Sequence, residues 1–159
     1  MIFQTILVKS TCTAPLHDHH HLRYIRKIGY CAAYHLKRAI ILPAQAIALV
    51  REPMPWQELP IVGLASLDFT EEVEKGTRTT TAKLSAKLCK SINLPISPLS
   101  FRLTDVQGRT FLLGTAESPH PLVTFAKNVA ENPSGEARQV LSLECKSTFG
   151  LLKPFMFYI

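Results

Sequence analysis

The 159-residue sequence predicts a mainly β fold, an antiparallel β-sandwich or open barrel with room for one short N-terminal helix. Three observations predict it. Apolar and polar residues alternate over 77–89 and again over 137–149, the period that gives a sheet one dry and one wet face. Threonine, which favours strands, is concentrated in the first of these runs. Short runs are separated by Pro, Gly and Asn clusters that act as turn signals. The expected organisation is a single β-rich domain over 1–159, with 1–21 as a flexible or poorly packed lead-in.

Taken in order, MIFQTILV (1–8) reads as a strand. The segment 22–40, LRYIRKIGYCAAYHLKRAI, supports two readings. Ile25, Ile28, Ala32 and Leu36 make a helical stripe, and AAYHLKRA has good helix propensity. Alternatively, Leu22, Tyr24, Ile28 and Tyr30 serve a strand followed by a loop. AQAIALV (44–50) is then a short strand or a helix end after Pro43. Three prolines within 53–60 rule out a regular element there. The acidic group Asp68, Glu71, Glu72 and Glu74 reads as a solvated loop leading into the clearest strand, TRTTTAKLSAKLC. In that strand Thr80, Ala82, Leu84, Ala86 and Leu88 share one face. In SFRLTDVQGRTFLLGT, two apolar runs flank Asp105-Val106-Gln107-Gly108, the pattern of a hairpin with a short turn. The last alternating run, with Leu141, Leu143 and Cys145 on one face, follows the turn signal at 131–135. It and the run before it are expected to be neighbouring antiparallel strands.

Composition narrows the function classes. The apolar share of 47% and charged share of 19% argue against wholesale disorder. The longest apolar stretch, Ala39 to Val50, is interrupted by Pro43 and Gln45 and is too short to span a bilayer, so no membrane partner is expected. No basic stretch precedes the apolar start, so a secretory signal is not expected and the default location is the cytoplasm. Cys12, Cys31, Cys89 and Cys145 are scattered without a CxxC pair and read as reduced, buried small hydrophobes. The net charge of +6 permits a polyanionic partner, but the excess is dispersed. Its nearest approach to a cluster is Arg23, Arg26, Lys27, Lys37 and Arg38, outside any nucleic-acid module.

Candidate site residues are few. LHDHHHL (16–22) holds His17, His19, His20 and His21 around Asp18. In an extended chain His17, His19 and His21 share a face, yet they diverge instead of converging as zinc or nickel requires. These three are the only metal candidates, and the reading favoured is an exposed polar loop before the first secure element. No acid pair, GxSxG elbow or phosphate-cradling glycine loop is present, so no catalytic residue and no cofactor is expected. Trp56, set between prolines, reads as a cap on the end of the core or as an interface anchor. The tail LLKPFMFYI is apolar for a chain end, so Phe155, Phe157 and Ile159 need cover, from a final strand on the core or from another subunit.

One resemblance joins these features. Trp56, Glu58, Leu59 and Pro60 form W-x-E-L-P; an acidic segment and the Thr/Lys strand follow. Then come Gly108, Phe111, Leu112, Leu113, Gly114 and Thr115 as V-x-G-x-x-[FY]-L-[LI]-G-T, and Pro119 and Pro121 as P-x-P. In this order, over about residues 22 to 152, the chain resembles small uncharacterised β-rich proteins of bacterial prophage-like or mobile-element clusters. The resemblance implies a structural component of a phage-like particle (tail or virion), and no site residue comes with it. The expected function is therefore a non-enzymatic structural or assembly protein acting through self-association or protein partners. The alternative is a nucleic-acid-associated accessory protein using the basic surface.

Overall fold

Two adjacent left-handed residues, Lys75 (φ 52°) and Gly76 (φ 80°), set the longest hairpin of the chain. Positive φ at both central positions is the type I′ geometry, whose twist matches that of paired strands. The residues on either side, Glu74 and Thr77, close the ladder. The computed structural model describes residues 18–42, 45–117, 119–128, 138–147 and 152–158. Within them lie β1 (Asp18–Ala32), β2 (Ile40–Leu42), β3 (Ile47–Glu52), β4 (Gln57–Glu58), β5 (Ala65–Glu74) and β6 (Thr77–Lys87). They are followed by β7 (Leu99–Asp105), β8 (Thr110–Leu113), β9 (Leu122–Asn128), β10 (Arg138–Ser147) and β11 (Lys153–Tyr158). A strongly curled antiparallel half-barrel runs β8-β7-β1-β5-β6-β10-β9, with β4 also on β1, and a small second sheet runs β11-β3-β2. The protein is mainly β, as its alternation predicts.

The β5–β6 hairpin corrects the loop reading of the acidic segment. Ala65, Leu67 and Phe69 are buried on the inner face while Asp68, Glu72 and Glu74 alternate with them on the wet face, and Glu71 continues the inner side past Phe69, so the acids belong to a strand. β6 alternates as expected: Thr80, Ala82, Leu84 and Ala86 are buried, and Lys83, Ser85 and Lys87 are exposed. β10 pairs antiparallel with β6, setting Leu143 opposite Leu84 and Cys145 opposite Ala82. On its other side β10 pairs with β9, a strand hidden in the sequence behind the Pro-rich passage 118–121.

The ambiguous segment 22–40 is a strand through Ala32, and the region's helix is only a 3-10 turn over Ala33–Leu36. The helical stripe has a physical source. The β1–β7 register slips at Arg26, where Ile25 faces Asp105 and Lys27 faces Thr104. One extra residue inverts the alternation. Ile25 and Ile28, three apart, therefore both lie in the core, mimicking a helical spacing. Past the bulge, Gly29 and Cys31 turn to the other side of the sheet, with Gly29 under Trp56. The prolines of 53–60 do limit regular structure there, but Gln57 and Glu58 still pair with Tyr30 and Gly29 as β4.

Two buried clusters result. The larger fills the curl and includes Ile25, Ile28, Leu67, Leu84, Phe101, Leu103, Phe111 and Leu143. The smaller lies between the half-barrel and the second sheet: Leu36, Ala48, Val50, Leu112 and Leu152, with Trp56 packed on it. β8 serves both, sending Phe111 and Leu113 to the first cluster and Leu112 to the second. That is why FLL is continuously apolar. β11 continues the second sheet by running parallel to β3, the one departure from antiparallel pairing among the described strands.

The turn out of β8 depends on Gly114, at φ 86°. A Cβ there would stand 2.6 Å from Cδ of Pro121 and 3.2 Å from the carbonyl oxygen of Leu99. Neither a ring carbon nor a backbone oxygen can swing aside. Gly114→Ala is expected to lower unfolding free energy by about 2 kcal/mol, from left-handed strain plus the clash, read by urea denaturation. Gly76→Ala, whose Cβ would meet nothing within 4 Å, is expected to lose only the strain, about 1 kcal/mol.

Candidate functional site

The histidine-rich segment is not a loop before the first strand. β1 begins at Asp18, and its backbone sets His19 opposite Glu71 and His21 opposite Phe69. His17 lies outside the described residues. Among the described residues no group of three His, Cys, Asp or Glu is placed to hold a metal ion. Acids and bases of the outer face instead alternate across the ladder, Asp68 opposite Lys83 and Lys83 opposite Glu144, while Glu71 pairs with Arg78.

Trp56 sits half-buried against the second cluster with the Arg102 guanidinium 5.1 Å over its ring. Its indole N–H is buried without an acceptor among the described residues. Phe155 and Phe157 lie in β11 at register positions opposite Leu49 and Arg51 of β3, and Ile159 falls outside the described residues. The tail is thus a strand of the chain's own second sheet. Burial pushes the Cys31 thiol up to about 11, opposed by Arg102 and assisted by Glu52. Burial also raises Cys145, against a hydrogen bond with the Gly114 backbone. Both are protonated, packed thiols. Cys89 departs from the expected burial: it is exposed past the end of β6, and its Sγ–H donates to the Pro60 carbonyl at 3.1 Å.

The best-built polar site was visible in the sequence only as a turn. Asp105 ends β7, and its carboxylate is almost fully buried. Oδ1 accepts the backbone N–H groups of Gln107 (2.9 Å) and Arg109 (2.8 Å), and Oδ2 accepts Nε–H of Arg109 at 2.9 Å. Nη1 of Arg23 stands 3.7 Å from Oδ2, and Nε–H of Arg26 donates to the Asp105 carbonyl at 3.2 Å. Burial alone would raise the Asp105 carboxyl, but the Arg109 backbone and guanidinium and the Gln107 N–H together hold it below the usual carboxylate value. Arg23 lies over two rings of the core, 5.0 Å from the centre of Phe111 and 5.7 Å from that of Phe69. The D-x-x-G-R spacing of a side-chain-capped turn is the signal that marks it. Beside it, where β7 has ended and the first part of β1 continues, an open groove of about 500 Å³ is lined by Arg23, Tyr24, Asp105, Gln107 and Arg109.

The two ends of the curled sheet differ. The β8 end is covered, because Leu112 N–H donates to the Leu152 carbonyl (2.8 Å) as the chain enters β11. At the other end, no described strand pairs with the outer side of β9. Val123 and Phe125 continue the inner apolar face past Leu143 and Leu141, yet Phe125 is 37% exposed. Leu122, on the opposite face, is also exposed.

No helix among the described residues is long and apolar enough to cross a membrane. Comparison with protein-family models, curated proteins and solved structures finds no match.

Proposed function

We propose that this protein is a non-enzymatic structural component that assembles with copies of itself through the free edge of β9. The observation that carries the reading is the contrast between the two sheet ends: one bonded through Leu112 to Leu152 at the entry to β11, the other an edge that no described strand pairs, with Phe125 exposed. An unpaired edge offers backbone donors and acceptors to another strand. LVTFAKN is also self-complementary in antiparallel pairing. Centred on Phe125, it sets phenylalanine against phenylalanine and Thr124 against Ala126, joining the inner faces of two half-barrels. The resemblance to proteins of prophage-like clusters points the same way, since a particle component must pair with its own kind. Edge pairing supports a place in a phage-like particle by giving assembly a physical route.

Light scattering on the eluting protein is expected to give a dimer or larger species. Phe125→Lys, which brings like charges together at the two-fold axis, is expected to weaken association at least about tenfold with little change in the thermal midpoint. A wild-type monomer at the highest soluble concentration overturns the proposal.

A further inference from the structure

The groove beside Asp105 carries a second inference, independent of edge pairing. Two guanidinium groups, of Arg23 and Arg109, flank one carboxylate, and a third, of Arg26, donates to the Asp105 backbone carbonyl. That carboxylate has little acceptor capacity left, because Oδ1 takes two backbone N–H groups and Oδ2 takes Arg109. Among the groove's lining residues the balance is two positive charges to one negative. The next ion pair along β1, Lys27 with Glu58 at 3.7 Å, is exposed and internally neutral. Arg23 contributes most. Phe69 and Phe111 hold its guanidinium in place, its Nε–H is buried with no acceptor among the described residues, and its distance to Oδ2 exceeds a hydrogen bond. A planar donor fork held in place, with a quarter of its side chain exposed, matches the oxygens of a phosphate group. Arg109 is half exposed and offers its remaining donors to the same groove.

Tyr24, next along β1, lines the groove and is half exposed. An aromatic side chain beside guanidinium groups is the pairing that single strands use: bases stack on the ring while the backbone runs along the charges. An acidic peptide would use the charges and leave the ring idle. We infer that this groove binds the phosphodiester backbone of single-stranded nucleic acid, with Arg23 and Arg109 on phosphates and Tyr24 under a base.

The test is fluorescence anisotropy of a labelled oligothymidylate over a range of salt concentrations. Affinity should fall with salt at a logarithmic slope of about −0.7 for each phosphate contact. Arg109→Gln keeps an amide donor for Asp105 and removes the charge, so it should make the slope shallower by about 0.7. Tyr24→Ala should weaken binding at least about tenfold and leave the slope unchanged. Lys83→Gln/Lys87→Gln, on the outer face of β6, should alter neither affinity nor slope. Urea denaturation of each variant establishes that it is folded. The inference is overturned by no binding at low salt, by equal loss in the Lys83/Lys87 variant, or by an unaffected Tyr24→Ala. Displacement by polyglutamate as readily as by unlabelled oligothymidylate overturns it in favour of an acidic chain.

Discussion

Asp105→Ala is expected to lower the free energy of unfolding by about 3 kcal/mol at neutral pH, because it strips the turn of its buried acceptor and two arginines of their counter-charge. The backbone N–H groups of Gln107 and Arg109 lose the oxygen they share, and Arg23 keeps a guanidinium pinned over Phe69 and Phe111 without the Asp105 carboxylate. The effect should depend on pH in one direction. The folded-state pKa of Asp105 lies below its unfolded value, so its contribution is fully present above the unfolded pKa of about 4 and is lost as pH falls through the folded one. Urea midpoints of wild type and variant should therefore stand apart at pH 7 and converge in strong acid. Asp105→Asn, which retains an oxygen for the two N–H groups, should lose about half as much. Equal wild-type and Ala midpoints at pH 7 would remove Asp105 from any organising role.

Phe101→Ala should be the most damaging single truncation, at about 4 kcal/mol. Phe101 has no exposed surface and lies in the middle of the half-barrel, opposite Tyr30 on β1 and Leu113 on β8. Neighbours held on both sides by ladder hydrogen bonds cannot collapse into the space left, so cavity loss adds to transfer loss. For a chain of this size that is about a 10 °C fall in thermal midpoint by calorimetry. A loss under about 1 kcal/mol would mean that the curled sheet closes around the gap and that its packing is loose.

The alternating runs told most of what could be read in advance. Thr80 to Leu88 and Leu141 to Cys145 bury the residues their spacing selects, since a strand's side chains alternate whatever it pairs with. Where the reading wavered, a neighbour was responsible. Ile25 and Ile28 look helical only because β7 forces a bulge at Arg26. The acids of 68–74 look like a loop because their alternate positions pass from Phe69 to Glu71 beyond the rim of the core. LHDHHHL looks like a lead-in because the pairing of His19 with Glu71 is a long-range contact that no local pattern announces.

The candidate sites divide in the same way. The turn at Asp105 to Arg109 is written in five consecutive residues, but its charge environment is not. Arg23 reaches it from β1, 82 positions away, because β1 and β7 pair from Ile25 onward and leave Arg23 just beyond their junction. The edge at β9 is likewise a property of strand order. By itself the sequence determined that this is a sheet-forming chain, which residues of its best strands face the core, and where the turn after β7 falls, because propensity, alternation and turn chemistry act over a few residues. Only the tertiary structure decided which strands meet, where the sheet stops and which charges gather at its rim, because these follow from contacts between residues that the chain holds far apart until it folds.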